Sequence, residues 1–154
     1  MKKFDLSQMF HLFPTDDACL EEIKKLRYPK GIGCGRCIKI TKHYKLSGRN
    51  AYSCEYCRHQ VYPLRGTIFE KTTTPLRLWF FCMYILTTTR GKVSTTTLQK
   101  ELHVTYKTAW RMRDKLLTLM RQHRGDLLKE PENVIFVSFF NTFQIKVVEK
   151  QESL

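Results

Sequence analysis

Four cysteines in two CxxC pairs are the residues in this sequence best suited to do chemistry. The pairs are Cys34/Cys37 and Cys54/Cys57, with sixteen residues between them. Two such knuckles at this spacing are typical of a Cys₄ zinc ribbon, in which each knuckle turn presents two thiolates to one metal ion. Because four sulfur ligands leave no open coordination position, we predict one structural Zn²⁺. Iron–sulfur ligation and two disulfides are the alternatives that the spacing leaves open.

The residues around these pairs are expected to support the site rather than to bind the metal. Gly33 and Gly35 should let the knuckle approach the metal closely, and His43 and His59 should be neighbours of a site that already has four thiolates. The other two cysteines, Cys19 and Cys82, fall on the apolar faces of predicted helices. A free cysteine there is usually a small buried hydrophobe.

A second functional pattern lies in residues 93–121, where a short helix, a tight turn at His103–Val104 and a longer basic helix predict a helix-turn-helix. In that motif, side chains near the start of the second helix reach base edges and phosphates. The candidate DNA-binding residues on this helix are Tyr106, Lys107, Thr108, Arg111 and Lys115, with Arg111 suited to guanine. Ala109, Trp110 and Met112 are predicted to face inward. The alternative is an ordinary helical hairpin with a solvated basic face.

The charge distribution favours a polyanionic partner. The formal net charge is +13, and residues 24–124 hold 22 Lys and Arg against four acidic residues. An excess this large and this localised favours double-stranded DNA over a merely solvated basic surface. Basic residues interleaved with tyrosines also decorate the cysteine-rich segment. The candidate DNA-binding residues there are Lys45, Arg49, Arg58 and Arg65.

Hydrophobic spacing and turn residues predict the elements that position these groups. We expect helices over residues 4–13, from Thr15 or Asp16 to residue 27, over 75–87, over 94–102 and over 106–123, and short strands at 43–46, 51–53 and 60–64. The predicted fold class is α+β, a small Cys₄ zinc ribbon flanked by helices and followed by a helix-turn-helix module and a short β-like tail. The predicted divisions are 1–30 (helices), 31–72 (ribbon), 73–124 (helix-turn-helix) and 125–154 (tail).

The remaining features exclude several classes of protein. The sequence shows no secretory signal and no apolar run long enough for a membrane span, so we expect a cytoplasmic, nucleoid-associated protein with no membrane partner. No acid–base pair, nucleophile triad or phosphate-binding Gly loop is apparent, so we expect no enzyme activity. The alternating tail at 134–148 is a candidate homodimer interface.

The chain resembles transposases of the IS1595 (ISXO2-like) insertion-sequence family over roughly residues 10–125. The resemblance rests on Phe13-Pro14-Thr15, the two knuckles, Gly-Thr-Ile-Phe-Glu at 66–70, and Thr-Ala-Trp-Arg-Met at 108–112. It implies that this region binds the ends of the mobile element. Members of the family continue into an RNase H-like domain whose first strand carries a catalytic aspartate. The corresponding stretch here, 134–140, has no carboxylate.

We therefore expect a truncated transposase-like DNA-binding protein without strand transfer. It would bind terminal repeats and act as a repressor or competitor of transposition. A protein-interaction adaptor that uses the ribbon and the apolar tail, and a remnant of a transposase without function, are the alternatives.

Overall fold

The computed structural model describes residues 7–122. Its elements are α1 (Ser7–Leu12), α2 (Asp16–Arg27), β1 (Gly33–Cys34), β2 (Lys39–Ile40), β3 (His43–Lys45), β4 (Tyr52–Cys54), β5 (Gln60–Val61), α3 (Leu76–Thr88), α4 (Thr95–Leu102) and α5 (Tyr106–Gln122). The predicted α+β class, with a small cysteine-rich sheet region between helices, is confirmed. The predicted β-like tail lies outside the described residues, and the domain boundaries stay a prediction.

The two N-terminal helices follow the predicted division, and α2 begins and ends where local chemistry predicts. Pro14 separates them, and the Thr15 hydroxyl caps α2 by accepting a hydrogen bond from the Ala18 N–H at 3.1 Å. Acidic residues open α2 and basic residues close it, as the helix dipole favours. Cys19, Leu20 and Ile23 on its inner face are fully buried.

The cysteine-rich segment forms two small antiparallel sheets. β1 pairs with β2 around the first knuckle, with Cys34 opposite Lys39. The other sheet has the order β3-β4-β5, with His43 opposite Cys54 and Tyr52 opposite Val61. The three strands of the second sheet were predicted, but the β1–β2 hairpin was not, because two-residue strands leave no alternating pattern in a sequence.

Helix α3 is the centre of the helical half. The sequence predicts one apolar face, but the structure buries residues around the helix, including Phe81, Cys82 and Ile85. Because α2, α4 and α5 all pack on α3, it has little surface left for solvent. Phe13 and Phe10 contact Phe80 and Phe81 edge-on, with ring centroids 4.9 and 4.5 Å apart.

Helices α4 and α5 form the predicted helix-turn-helix pair. Ser94 caps α4, His103 adopts a left-handed conformation at its end, and the Thr105 hydroxyl accepts from the Thr108 N–H at the start of α5. Ala109 and Met112 are buried as predicted. The inward placement of Trp110 is wrong, since its side chain is 53% exposed.

Helix α2 connects the ribbon to the helical half. On one side, the Tyr52 hydroxyl donates to Glu21 at 2.9 Å, and the Arg27 guanidinium donates to the Arg65 carbonyl at 2.7 Å. On the other side, the Asp16 carboxylate accepts from the Arg77 N–H at 3.1 Å, in the first turn of α3. Pro75 precedes α3 and offers no side-chain cap, so Asp16 supplies one from 61 residues away.

Candidate metal centre and nucleic-acid interface

The two cysteine knuckles have the same backbone geometry. The N–H of Ile38 donates to the Cys34 carbonyl at 2.8 Å, and the N–H of Arg58 donates to the Cys54 carbonyl at 3.1 Å. Ile38 and Arg58 each follow the second cysteine of a knuckle, and both adopt left-handed φ values, 56° and 59°. Each knuckle is therefore a closed turn that holds its two side chains on one side.

The four sulfur atoms lie at distances that suit one tetrahedral metal ion. Cys34 Sγ is 3.4 Å from Cys57 Sγ, Cys37 Sγ is 3.9 Å from Cys54 Sγ, and all four lie within 4.8 Å of one another. A zinc ion with sulfur at about 2.3 Å requires tetrahedral sulfur–sulfur distances of about 3.8 Å. The predicted zinc cofactor therefore fits these residues, which would hold one ion with no open position.

Hydrogen bonds to the sulfurs favour the thiolate forms that bind metal. The Thr41 hydroxyl, 3.2 Å from Cys54 Sγ, lowers the pKa of that thiol to about 5. The Cys37 N–H, 3.4 Å from Cys34 Sγ, lowers the pKa of Cys34. Hydrogen bonding to the Cys57 sulfur, by contrast, raises the pKa of Cys37 to about 12. Because metal binds the thiolate form, metal binding at this cluster would release protons.

The structure does not support the prediction that glycines let the first knuckle approach the metal closely. A Cβ at Gly33 or Gly35 would meet nothing within 4 Å, and neither residue has positive φ. Near this knuckle it is Gly31 that the backbone requires as glycine, because its φ is 101° and a Cβ there would lie 2.9 Å from Ile40 Cγ2.

The neighbouring histidines and the other two cysteines lie outside the sulfur cluster. His43 sits across from Cys54, with Nδ1 3.0 Å from the Thr41 carbonyl oxygen, and it helps to fix the Thr41 segment. Cys19 and Cys82 are fully buried, and burial raises the pKa of each thiol to about 12. They pack in the core as small apolar side chains.

Residues 14–60 match the family model of the transposase zinc-ribbon domain. This segment is therefore similar to the zinc ribbon of transposases. The match starts at Pro14 and ends at Gln60, so it includes α2 and both knuckles. The helix that precedes the first knuckle thus belongs to the matched unit.

One relative is a protein of Halobacterium salinarum that is described as an uncharacterized protein in transposable element ISH50. It is 27% identical over 117 residues, which is 75% of this chain and 39% of the relative. The chain therefore spans about two fifths of the length of that relative. No solved structure matches the chain.

The exposed face of α5 carries two rows of side chains. Successive helical residues turn by about 100°, so residues four apart lie in one row. One row is basic (Lys107, Arg111, Lys115), and all three side chains are exposed. Thr108 is half-buried, and its hydroxyl lies 2.9 Å from that of Thr105 in the helix cap.

The second row on α5 consists of Tyr106, Trp110 and Asp114. Tyr106 and Trp110 are both 53% exposed, and Asp114 is exposed. The prediction that Trp110 faces inward is wrong, because an aromatic residue next to Ala109 in the sequence resembles a core residue. The signal that could have found it is the spacing of four residues from Tyr106.

The basic residues of the ribbon differ in how free they are to bind a ligand. Arg49 and Arg58 are exposed, and the Arg65 guanidinium lies over the Tyr62 ring at 5.2 Å. The Lys45 ammonium, by contrast, donates to the Leu46 carbonyl at 2.8 Å and lies 3.4 Å from the Asp17 carboxylate. Lys45 thus holds the β3–β4 loop and α2 together.

A concave groove of about 620 Å³ lies between α2 and the first two strands. Its lining includes Lys39, Lys42, Tyr44, Tyr56 and Ile40, and all five side chains are exposed. The Lys39 ammonium lies 4.7 Å from the centroid of the Tyr56 ring. No local sequence pattern predicts this groove, because Tyr56 comes from the second knuckle and the lysines come from the first half of the ribbon.

Residues 7–122 contain one cluster of metal-ligating side chains and no membrane-spanning helix. Within residues 7–122, the four ribbon cysteines form the sole group of three or more metal-ligating side chains within reach of one ion. None of the helices in that range combines the length and the apolar character needed to span a bilayer.

Proposed function

We propose that this protein binds double-stranded DNA in a sequence-specific manner, with α5 in the major groove and the zinc ribbon on the adjacent backbone. The carrying observation is the exposed basic row Lys107–Arg111–Lys115 on the second helix of a helix-turn-helix pair. The transposase-type ribbon at residues 14–60 supports the same conclusion. The natural target would be the terminal repeats of a mobile element or a site derived from them.

The placement of α5 supports this assignment. Its buried side, Ala109, Met112 and Leu116, packs on the helical core, and the Arg113 side chain donates to the Val93 carbonyl at 2.9 Å. These contacts fix the rotation of α5 about its axis. The exposed rows are consequently held outward on a rigid support, as recognition by a helix requires.

The ribbon supplies a second basic surface. Arg49, Arg58 and Arg65 are exposed, and the four cysteines would let one zinc ion keep the loops that carry these residues in shape. We expect phosphate contacts from these side chains. Lys45 should contribute less than they do, because its ammonium already bonds to the Leu46 carbonyl.

The residues 7–122 are proposed to bind DNA without cutting it. A two-metal nuclease site needs carboxylates that converge on the metals, and in residues 7–122 the cluster of metal ligands is all cysteine. In a cell, such a protein would occupy element ends on the nucleoid and act as a repressor or competitor of transposition.

A salt titration tests DNA binding. Duplexes selected from a random library should bind, and the logarithm of the association constant should fall linearly with the logarithm of salt concentration, by about 0.9 per phosphate contact. The triple variant Lys107→Ala/Arg111→Ala/Lys115→Ala should bind weakly and should lower this slope by up to about 2.7.

The control for that experiment is Lys25→Ala, an exposed lysine on α2 outside both proposed contact surfaces. Its slope should equal that of the unmodified protein. Absence of binding at low salt would refute the proposal, and so would an unchanged slope in the triple variant. If Arg111 contacts guanine, Arg111→Ala alone should relax the selected sequence at one position, whereas Arg58→Ala should weaken all duplexes alike.

A protein-interaction adaptor is the second candidate, favoured by the apolar surface of the ribbon. Ile38 and Ile40 are 89% and 60% exposed, and Tyr56 is 66% exposed. Such side chains suit a protein partner. Retention on duplex resin that falls with salt favours DNA, whereas a protein partner retained by the unmodified chain and lost with Ile40→Ser favours the adaptor.

A further inference from the structure

The two aromatic side chains on the exposed face of α5 have no role in the contacts described so far. Tyr106 and Trp110 lie four residues apart, so their Cβ atoms are about 6 Å apart along one edge of the helix. Each side chain is 53% exposed, although the opposite side of the same helix packs against α3. The second tryptophan of the chain, Trp79, is 1% exposed, so tryptophan exposure is specific to this helix.

We propose that Tyr106 and Trp110 read the 5-methyl groups of thymines in the major groove. This inference rests on the proposed function, and it deepens it by naming the bases that α5 recognises. Thymine is the base that presents an apolar group in the major groove, and apolar side chains contact that methyl. An aromatic ring covers the methyl and excludes water from it, which gives a free-energy gain that cytosine cannot give.

Charge complementarity decides which way the two rows face. The basic row Lys107–Arg111–Lys115 begins about 100° around the helix from Tyr106 and suits the phosphate-rich side of the groove. The aromatic row continues into Asp114. Phosphates would repel its carboxylate, whereas the amino group of cytosine can donate a hydrogen bond to it. The aromatic row therefore faces base edges, and the occupant of this apolar surface is duplex DNA.

The test replaces thymine by deoxyuridine, which removes the methyl group and leaves the pairing edge unchanged. With a duplex selected from a random library, each thymine is replaced in turn and affinities are measured by fluorescence anisotropy. One or two positions should lose about fourfold in affinity, the factor expected for burying one methyl group. Trp110→Ala and Tyr106→Ala should bind more weakly, and each should lose the deoxyuridine penalty at one of these positions.

The controls separate this inference from the proposed function. Tyr44→Ala changes an equally exposed tyrosine on the ribbon and should leave every deoxyuridine penalty intact. Trp110→Phe should keep part of the deoxyuridine penalty at the position where Trp110→Ala loses it. In addition, DNA should protect the exposed Trp110 from acrylamide quenching, while the Trp110→Phe variant, which retains only buried Trp79, should show no change.

Three outcomes are decisive. If no selected duplex binds, both the proposed function and the thymine reading fail. If duplexes bind but no deoxyuridine substitution weakens binding, DNA binding stands and the thymine reading is overturned. If penalties occur and persist undiminished in both Trp110→Ala and Tyr106→Ala, another part of the protein reads the methyl groups, and the inference is likewise overturned.

Discussion

The ribbon and the helical half are held together by different forces. Between residues 32 and 66 the buried apolar side chains are few, and two of them, Cys34 and Cys54, are candidate metal ligands. The helices α3 to α5 instead bury large residues such as Trp79, Phe80 and Met112. The difference shows that metal ligation would fix the ribbon where a hydrophobic core is too small to do so, whereas the helices need no metal.

Removing a zinc ligand should have the largest effect, and it should be confined to the ribbon. For Cys54→Ser we expect loss of bound zinc and unfolding of the ribbon, because binding of a structural zinc contributes on the order of 10 kcal/mol to folding. Helical circular dichroism should largely remain. Zinc content by atomic emission and proteolytic cleavage between the knuckles would measure this.

The matched control for the ligand change is Cys82→Ala, which alters a fully buried cysteine in α3. It should lower the stability of the helices and leave one zinc per chain. An equal loss of helix and ribbon in Cys54→Ser would show that the two regions form one cooperative unit and would end the comparison.

Truncation of a large core residue should destabilise the helices and leave the ribbon intact. Trp79→Ala removes a ring that packs on Phe69 at 5.6 Å and an indole N–H that donates to Thr72 at 3.0 Å. We expect a loss of about 3–5 kcal/mol in the free energy of unfolding of the helices, with zinc still bound. Urea denaturation followed by circular dichroism is the measurement.

Trp110→Ala is the control for this change, since it makes the same substitution at an exposed position. Its free energy of unfolding should stay within about 0.5 kcal/mol of the unmodified protein. A comparable loss in both variants would contradict the placement of Trp110 on the surface.

Removal of the hydrogen bond between α2 and the start of α3 should have an intermediate effect. Asp16→Ala removes the carboxylate that accepts from the Arg77 N–H, so the first turn of α3 loses its cap. The expected cost is about 1 kcal/mol in the unfolding of the helices. Asp16→Asn keeps an acceptor oxygen and should recover most of this loss, and equal costs for the two variants would argue against capping.

The smallest effect is expected within the knuckles. Ile38 is a β-branched residue at a φ of 56° and is almost fully exposed. Glycine relieves the left-handed penalty but adds chain entropy to the unfolded state, so Ile38→Gly should stabilise the ribbon by about 0.5 kcal/mol. Competition with a chromophoric chelator would detect tighter zinc binding. Ile38→Ala keeps the left-handed penalty and should show no comparable gain; if alanine did as well as glycine, backbone strain would not be the cause.

The elements that were predicted well have strong local signals. Thr15 and Thr105 each accept a hydrogen bond from an N–H three residues later, as their positions before helical patterns predict. The cysteine spacing likewise predicts four clustered sulfurs, because a knuckle is a local turn. The contacts assigned to DNA stay predictions.

Other features depend on which element packs against which. Trp110 was expected inside, and α3 was expected to have one apolar face, since hydrophobicity alone does not reveal how many partners a helix has. The Asp16–Arg77 cap and the Tyr52–Glu21 hydrogen bond join residues far apart in the chain, which no local pattern encodes.

The sequence by itself thus determined the four clustered cysteines, the capped starts of α2 and α5 and the basic character of α5, because each is encoded in a short stretch of chain. Only the tertiary structure decided which side of α5 is held outward, which places Trp110 beside Tyr106 on the surface and fixes the Lys45 ammonium in the fold. The physical reason is that the rotation of a helix is set by the contacts of its buried side. For α5 those contacts come from α3, α4 and the Val93 carbonyl.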